Sequence, residues 1–154
     1  MSSFFEAYFG GPLDLGSPAP DFEAVDQTGR TVTLSSLKGA PVVLVFYPGD
    51  DTPGCTRQLC QFRDVWSAYQ AAGVAVYGVN PQGAASHKKF IGKFGFPFPI
   101  LVDRGGEIAG AYRAGGRLVR RTVYGIGADG RVVFAQRGMP APERVLAALR
   151  PAKG

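Results

Sequence analysis

Two cysteines, Cys55 and Cys60, lie in the stretch YPGDDTPGCTRQLC from residue 47 to residue 60, and they are the only thiols of the chain. Their spacing limits the chemistry open to them. Five residues apart in a regular helix, two Cα atoms are separated by roughly 8–9 Å. A disulfide tolerates no more than about 7 Å. The pair is unsuited to a permanent staple, and a bond between them asks the helix start to unwind, as a transient bond could. Zinc needs about four protein ligands, or three with a water; two Cys and one His at this spacing do not supply them. The C-x-x-C spacing of disulfide oxidoreductases is absent. A Cys–His hydrolase with His87 as base is open in principle, although a lone His in SHKKF fits an exposed polar residue better. Two inert, buried cysteines remain open as well.

What a thiol does depends on what positions it. The run PVVLVFY, residues 41–47, is apolar on both faces and predicts a strand in the middle of a sheet. Beyond the Cys-bearing loop, residues 56–73 carry Leu59, Phe62, Val65, Trp66 and Tyr69 at helical steps and stop at Gly73, which predicts one helix. Cys55 then falls at a helix N-terminus, outside the carboxyl end of a central strand, a common place for active sites in α/β proteins. Backbone N–H groups and the helix dipole favour an anion there, and the thiolate is the reactive form of cysteine. Asp50 and Asp51 would oppose that anion if they pointed inward; they are expected to face solvent.

The remaining elements follow from pattern. DFEAVDQTGRTVTL predicts a hairpin about Gly29. VAVYGVN is a strand, GAASHKKFIGKFG a helix, FPILVD a short strand and GEIAGAYR a short helix. RTVYGIGADGRVVFAQ predicts a hairpin turning at Asp129-Gly130, and APERVLAALR a last amphipathic helix. Strand–helix alternation implies parallel pairing, and the hairpins add antiparallel strands. The expected class is α/β, a mixed central sheet flanked by helices.

A chain of 154 residues suits one domain with one sizeable core. No apolar run reaches transmembrane length. The start MSSFFEAYFG has no basic region before its aromatic residues, so a cytoplasmic protein with reduced thiols is expected. The net charge is +5 and uneven: residues 1–51 hold seven acids and two bases, residues 104–154 three acids and ten bases. The bases are dispersed, with only Arg120 and Arg121 adjacent in that basic half, whereas phosphate footprints need clusters. Neither a nucleic-acid nor a membrane partner is expected.

YPGDDTPGCTRQLCQFRD resembles the peroxiredoxins, specifically the bacterioferritin comigratory protein (PrxQ) subfamily. The P-x-x-x-T-x-x-C motif of that family appears as Pro48, Thr52 and Cys55. Cys60 is similar to the subfamily's resolving cysteine. GSPAPDFEAVDQTGRTVTLSSLKG is similar to its amino-terminal hairpin, SHKKFIGKFGFPFPILVD to a later segment, and RTVYGIGADGRV to the strand carrying the active-site arginine, which falls on Arg121. The resemblance implies a thioredoxin-like fold, a single domain over residues 15–154 and an N-terminal extension over 1–14. It implies reduction of hydrogen peroxide and organic hydroperoxides at Cys55, resolution by Cys60, and recycling by a thioredoxin-like reductant, with no cofactor and no metal. Thr52, the N–H groups near Gly54 and Cys55, and Arg121 would serve as donors to the leaving oxygen, and Pro48 would shield the pocket. Strand alternation puts Arg120 on the other face. A monomer or weak homodimer is expected.

Three departures stand out: NPQGAA where polar Ser or Asp residues are common, YGIG where bulkier apolar residues are usual, and the first fourteen residues, which lie outside the resemblance. YGIG predicts loose packing. Four aromatic residues within 4–9 form an apolar group ahead of Gly10, Gly11 and Pro12. Trp66 should report unwinding of the Cys helix by fluorescence. A second function class is a redox-switched thioredoxin-fold binding or chaperone module; rapid loss of peroxide with oxidation of Cys55 separates the two.

Overall fold

A computed structural model describes residues 10–150. The aromatic group of residues 4–9 lies outside the described residues. Seven strands form one sheet: β1 (Glu23–Asp26), β2 (Thr31–Thr33), β3 (Val42–Phe46), β4 (Ala75–Asn80), β5 (Ile100–Val102), β6 (Thr122–Ile126) and β7 (Val132–Arg137). Their order across the sheet is β2-β1-β5-β4-β3-β6-β7. The β3–β4 and β4–β5 pairs are parallel, and every other pair is antiparallel. Five α-helices are interspersed: α1 (Pro53–Asp64), α2 (Trp66–Ala71), α3 (Ala84–Phe94), α4 (Glu107–Ala111) and α5 (Pro142–Leu149).

Strand β3 is buried along its whole length, as its unbroken apolar run requires. Its side chains alternate between two cores. Val43, Val45 and Tyr47 join Cys55, Leu59 and Phe62 of α1, Tyr69 of α2, Phe90 of α3 and Leu146 of α5. Leu44 and Phe46 point the other way, into a second core with Tyr112, Tyr124 and Ile108, closed by the β1–β2 hairpin. The alternation of β6 sends Val123 to the first core and Tyr124 to the second. Arg121, two residues before Val123, is carried to the Cys55 face.

Three expectations need correction. The helix over 56–73 is two helices, broken at Val65 (φ −112°, ψ 21°), whose N–H bonds to the carbonyls of Arg63 and Phe62. Val65 is neither Gly nor Pro; the break lets Phe62 and Tyr69 meet edge to face at 5.7 Å. Trp66 therefore belongs to α2, stacked on Tyr69, and not to the Cys helix. The YGIG strand is tight rather than loose: a Cβ on Gly125 would lie 3.1 Å from Phe134 Cβ and 3.3 Å from Leu149 Cδ2. Here the missing side chain is what lets α5 and β7 close on β6.

Residues 10–14 lie against the β6–β7 hairpin. Leu13 N–H donates to the Tyr124 hydroxyl at 2.9 Å, and Arg137 Nη2 donates to Gly10 O at 3.1 Å.

Candidate active site

Between β3 and α1 the chain passes through Tyr47 to Thr52. Asp51 sits in the left-handed region (φ 59°), which Asp tolerates better than most residues. Thr52 is the N-cap in extended conformation, and Pro53 takes the first helical position, where a missing N–H costs nothing. Cys55 is thus in the first turn of α1, 1% exposed. Thr56 N–H is the first to bond back, to Thr52 O at 2.8 Å. The N–H groups ahead of it belong to the set a helix leaves without intrahelical partners. No acidic residue occupies this first turn.

Arg121 reaches the thiol across the fold. Its Nη2 donates to Cys55 Sγ at 3.4 Å and its Nη1 donates to Gln58 Oε1 at 2.8 Å. Gln58 is fully buried, and its Nε2 donates to Gly138 O at 3.3 Å. Gly138 N–H in turn donates to Arg121 O at 2.8 Å. The guanidinium is therefore aimed by a side chain one helical turn beyond Cys55 and by the backbone of β7's end. Gly54 makes the approach possible: a Cβ there would lie 3.2 Å from Arg121 Nη2. Sequence reasoning did not single out Gln58. Its position three residues after Cys55, on the same helix face, was the available signal.

The other expected site residues stand as follows. Pro48 is half-buried and Thr52 exposed, both in the loop that enters α1. The Thr52 hydroxyl donates to Gly49 O at 3.1 Å. Cys60 is half-buried in α1, packed against the first core, and both cysteines are free thiols. The structure brings Arg121 to Cys55. It leaves Cys60 on the intact helix, where the rise and radius of an α-helix keep the two Cα atoms roughly 8–9 Å apart.

Two polar residues are placed contrary to expectation. Asp50 does not face solvent: its side chain is 3% exposed. His87 is not an exposed polar residue but fully buried, with Nδ1 2.7 Å from Asp50 Oδ2 and Nε2 3.0 Å from Leu101 O. The Asp50 carboxylate also accepts from the Tyr47 hydroxyl (2.6 Å), Asn80 Nδ2 (2.9 Å) and Ser86 Oγ (2.7 Å). Burial pushes this carboxyl up, but the hydrogen bonds from His87, Tyr47 and Ser86, with the His87 charge, hold it below its ordinary value. The Tyr47 hydroxyl is pushed well above its ordinary value, first by burial and then by the Asp50 charge. His87 therefore serves the loop and not the thiol. Asp51 does face solvent, paired with Lys93 at 2.8 Å.

Among the described residues no group of three or more His, Cys, Asp or Glu side chains could hold a metal ion. The arrangement as it stands is a buried thiol at a helix N-terminus, with a guanidinium on its sulfur. It is suited to nucleophilic attack by sulfur on a substrate whose leaving atom gathers negative charge.

Known proteins share this arrangement of chain. Residues 15–135 match the AhpC/TSA family. The chloroplastic peroxiredoxin Q of Triticum aestivum is 41% identical over 138 residues, covering 87% of this chain and 64% of that protein. The chain thus spans a little under two thirds of that relative's length. The crystal structure of peroxidoxin BcpB from Mycobacterium tuberculosis superposes with a TM-score of 0.84 at 32% identity, over 92% of this chain and 99% of that one. A bacterioferritin comigratory protein of Xanthomonas campestris, described for its alkyl peroxide reduction activity, gives 0.76 at 26% identity, over 88% and 91% of the two chains. The seven-stranded mixed sheet with its helices is the thioredoxin fold of these peroxiredoxins.

Proposed function

The chain belongs to the AhpC/TSA family, and from that premise we propose that it is a thiol-dependent peroxidase of the peroxiredoxin Q type. The observation that carries the reading is the 3.4 Å contact of Arg121 Nη2 with Cys55 Sγ at the start of α1. A guanidinium and helix N–H groups favour negative charge both on the sulfur and on the oxygen that leaves it.

The thiolate of Cys55 attacks one peroxide oxygen in line with the O–O bond. The S–O bond forms, the O–O bond breaks, and the leaving oxygen takes the electron pair and then a proton to become water or an alcohol. Cys55 is left as a sulfenic acid. Arg121 and the N–H groups of Gly54 and Cys55 surround the leaving oxygen, joined by the Thr52 hydroxyl once it turns away from Gly49 O, and Pro48 shields the pocket from water. Cys60 then condenses with the sulfenic acid, forming the Cys55–Cys60 disulfide and releasing water. A thioredoxin-like dithiol reduces the disulfide by exchange and is itself oxidised. Hydrogen peroxide and organic hydroperoxides are the substrates; the activity described for the Xanthomonas campestris relative supports the second class. The protein works in the cytoplasm as a monomer or weak homodimer.

Stopped-flow oxidation of the reduced protein by hydrogen peroxide and by an organic hydroperoxide tests this reading. Cys55→Ser should abolish peroxide loss. Cys60→Ser should complete one rapid turnover and stall as a sulfenic acid visible by mass. Peroxide consumption that survives Cys55→Ser would sink the proposal.

A further inference from the structure

The Asp50–His87 pair has no place in the reaction just derived, yet its side chains are almost wholly buried. Nε2 of His87 meets the Leu101 carbonyl at 3.0 Å, and a carbonyl only accepts, so Nε2 carries a proton. Nδ1 meets Asp50 Oδ2 at 2.7 Å, so a second proton lies between ring and carboxylate. The remaining bonds to Asp50 come from Tyr47, Asn80 and Ser86. These donors fill the carboxylate's lone pairs and favour its charged form.

Four elements beside the loop contribute. Tyr47 follows β3, Asn80 ends β4, the Leu101 carbonyl belongs to β5, and Ser86 and His87 come from α3. Asp50 itself borders a cleft lined also by Asp51, Ser86, Lys89, Phe90 and Lys93. Asp50 N–H is also held, by Gln82 Oε1 at 2.6 Å. The residue after Asp50 is the left-handed Asp51, a conformation that persists where its surroundings over-determine it. Tyr47 links the network to the thiol: its ring shares the first core with Cys55.

We propose that Asp50 and His87 are positioning residues for the peroxidase reaction: a buried hydrogen-bonded pair that fixes the loop ahead of Cys55 and confines unwinding to the helix side of Thr52. Peroxide attack needs Cys55 at the intact helix start, so it depends on the pair. Disulfide formation with Cys60 needs α1 to open beyond Thr52, so it does not. The proposal rests on the peroxidase reading, and the wild type's own peroxide rate tests that reading separately.

The test compares Asp50→Asn, His87→Gln, the double variant and Tyr47→Phe with wild type from pH 5 to 8. All are made in a Cys60→Ser background for the peroxide step and with Cys60 present for disulfide formation. Asp50→Asn keeps a polar partner for a neutral His87 but removes the counter-charge of a protonated one, so this variant should lose peroxide rate as the pH falls. His87→Gln leaves the Asp50 carboxylate without its cation, so this variant should lose rate as the pH rises. Each loss should reach about tenfold at its unfavourable end, the scale of a misplaced reacting group. The double variant should show no slope, and Tyr47→Phe a smaller loss with no slope. Formation of the disulfide after oxidation should be unchanged or faster in both single variants. Alkylation of Cys55 by iodoacetamide should follow the same ratios, and it needs no peroxide. Ratios independent of pH in both single variants would reduce the pair to packing. Disulfide formation slowed as much as the peroxide step would remove the confinement. If one single variant fails to fold, a flat, folded double variant beside a sloped remaining single still supports the pair, and a sloped double variant overturns it.

Discussion

Two buried polar clusters flank the end of β3, and they are built on opposite plans. Around Asp50, four side-chain donors converge on one carboxylate, and each ring nitrogen of His87 has its own acceptor. Around Cys55, a half-buried guanidinium is turned onto a thiol at a helix start, beside an exposed Thr52. The first cluster is saturated. The second leaves helix N–H groups without intrahelical partners beside the sulfur. A saturated network holds shape, because any change leaves a buried group unpaired. A cluster with spare capacity can bind and react. On the proposed reading, the Cys55 cluster performs the chemistry and the Asp50 cluster holds it in place.

That contrast breaks if damage to the two clusters has the same consequence. The largest effect on stability should follow Asp50→Ala, which strips the acceptor from all four donors. The expected loss is about 3–5 kcal/mol in urea unfolding at neutral pH, the scale for breaking a buried pair. The difference from wild type should close in acid. Folding lowers the Asp50 pKa, so its contribution is fully present above the ordinary value near pH about 4 and is lost as the pH falls through the lower folded-state value. A loss below about 1 kcal/mol would mean that the saturated cluster does not hold the loop.

Arg121→Lys should invert the pattern. A lysine cannot reproduce the planar fork that bonds Gln58 and Cys55 together, so the peroxide rate should fall by at least about tenfold. Stability should move by less than about 1 kcal/mol. Wild-type rates would transfer the role to another cation. Gln58→Ala sharpens the comparison further, since Gln58 touches Arg121 and Gly138 but not the sulfur. It should slow the reaction less than Arg121→Lys and cost about 1–3 kcal/mol for the unpaired groups left behind. The most local effect is in hydrogen exchange. On forming the Cys55–Cys60 disulfide, amides within 53–62 should lose protection while residues 45–47 keep theirs. Loss on both sides would show that the opening is not one-sided.

Much of this was legible before the fold was known. The unbroken apolar run of β3, the loop and the helix behind it fixed the neighbourhood of Cys55; strand alternation allowed only one of Arg120 and Arg121 to face it, and the family resemblance pointed to Arg121. The rest was hidden for physical reasons. Asp50 and His87 are 37 residues apart; nothing local marks a charge that is buried because distant partners satisfy it. Alone, each residue fits a solvated surface. Val65 has an apolar side chain at a helical step, and nothing in its residue type marks the break there. Gly125 read as looseness because sequence shows a missing side chain but not the Leu149 and Phe134 that occupy its space.

The Asp50–His87 pair also has a thermal consequence. Hydration of charged groups carries a strongly negative entropy, so keeping a charge out of water becomes less costly as temperature rises. The attachment of α1 behind Cys55, through Leu59 and Phe62 in the first core, draws on apolar burial, whose benefit per unit area levels off. On warming, the loop in front of the thiol should therefore keep its hold while the helix behind it softens. In the proposed cycle, heat then acts unequally on the two halves, favouring the opening that would join Cys55 to Cys60 before it disturbs the place where peroxide would be met.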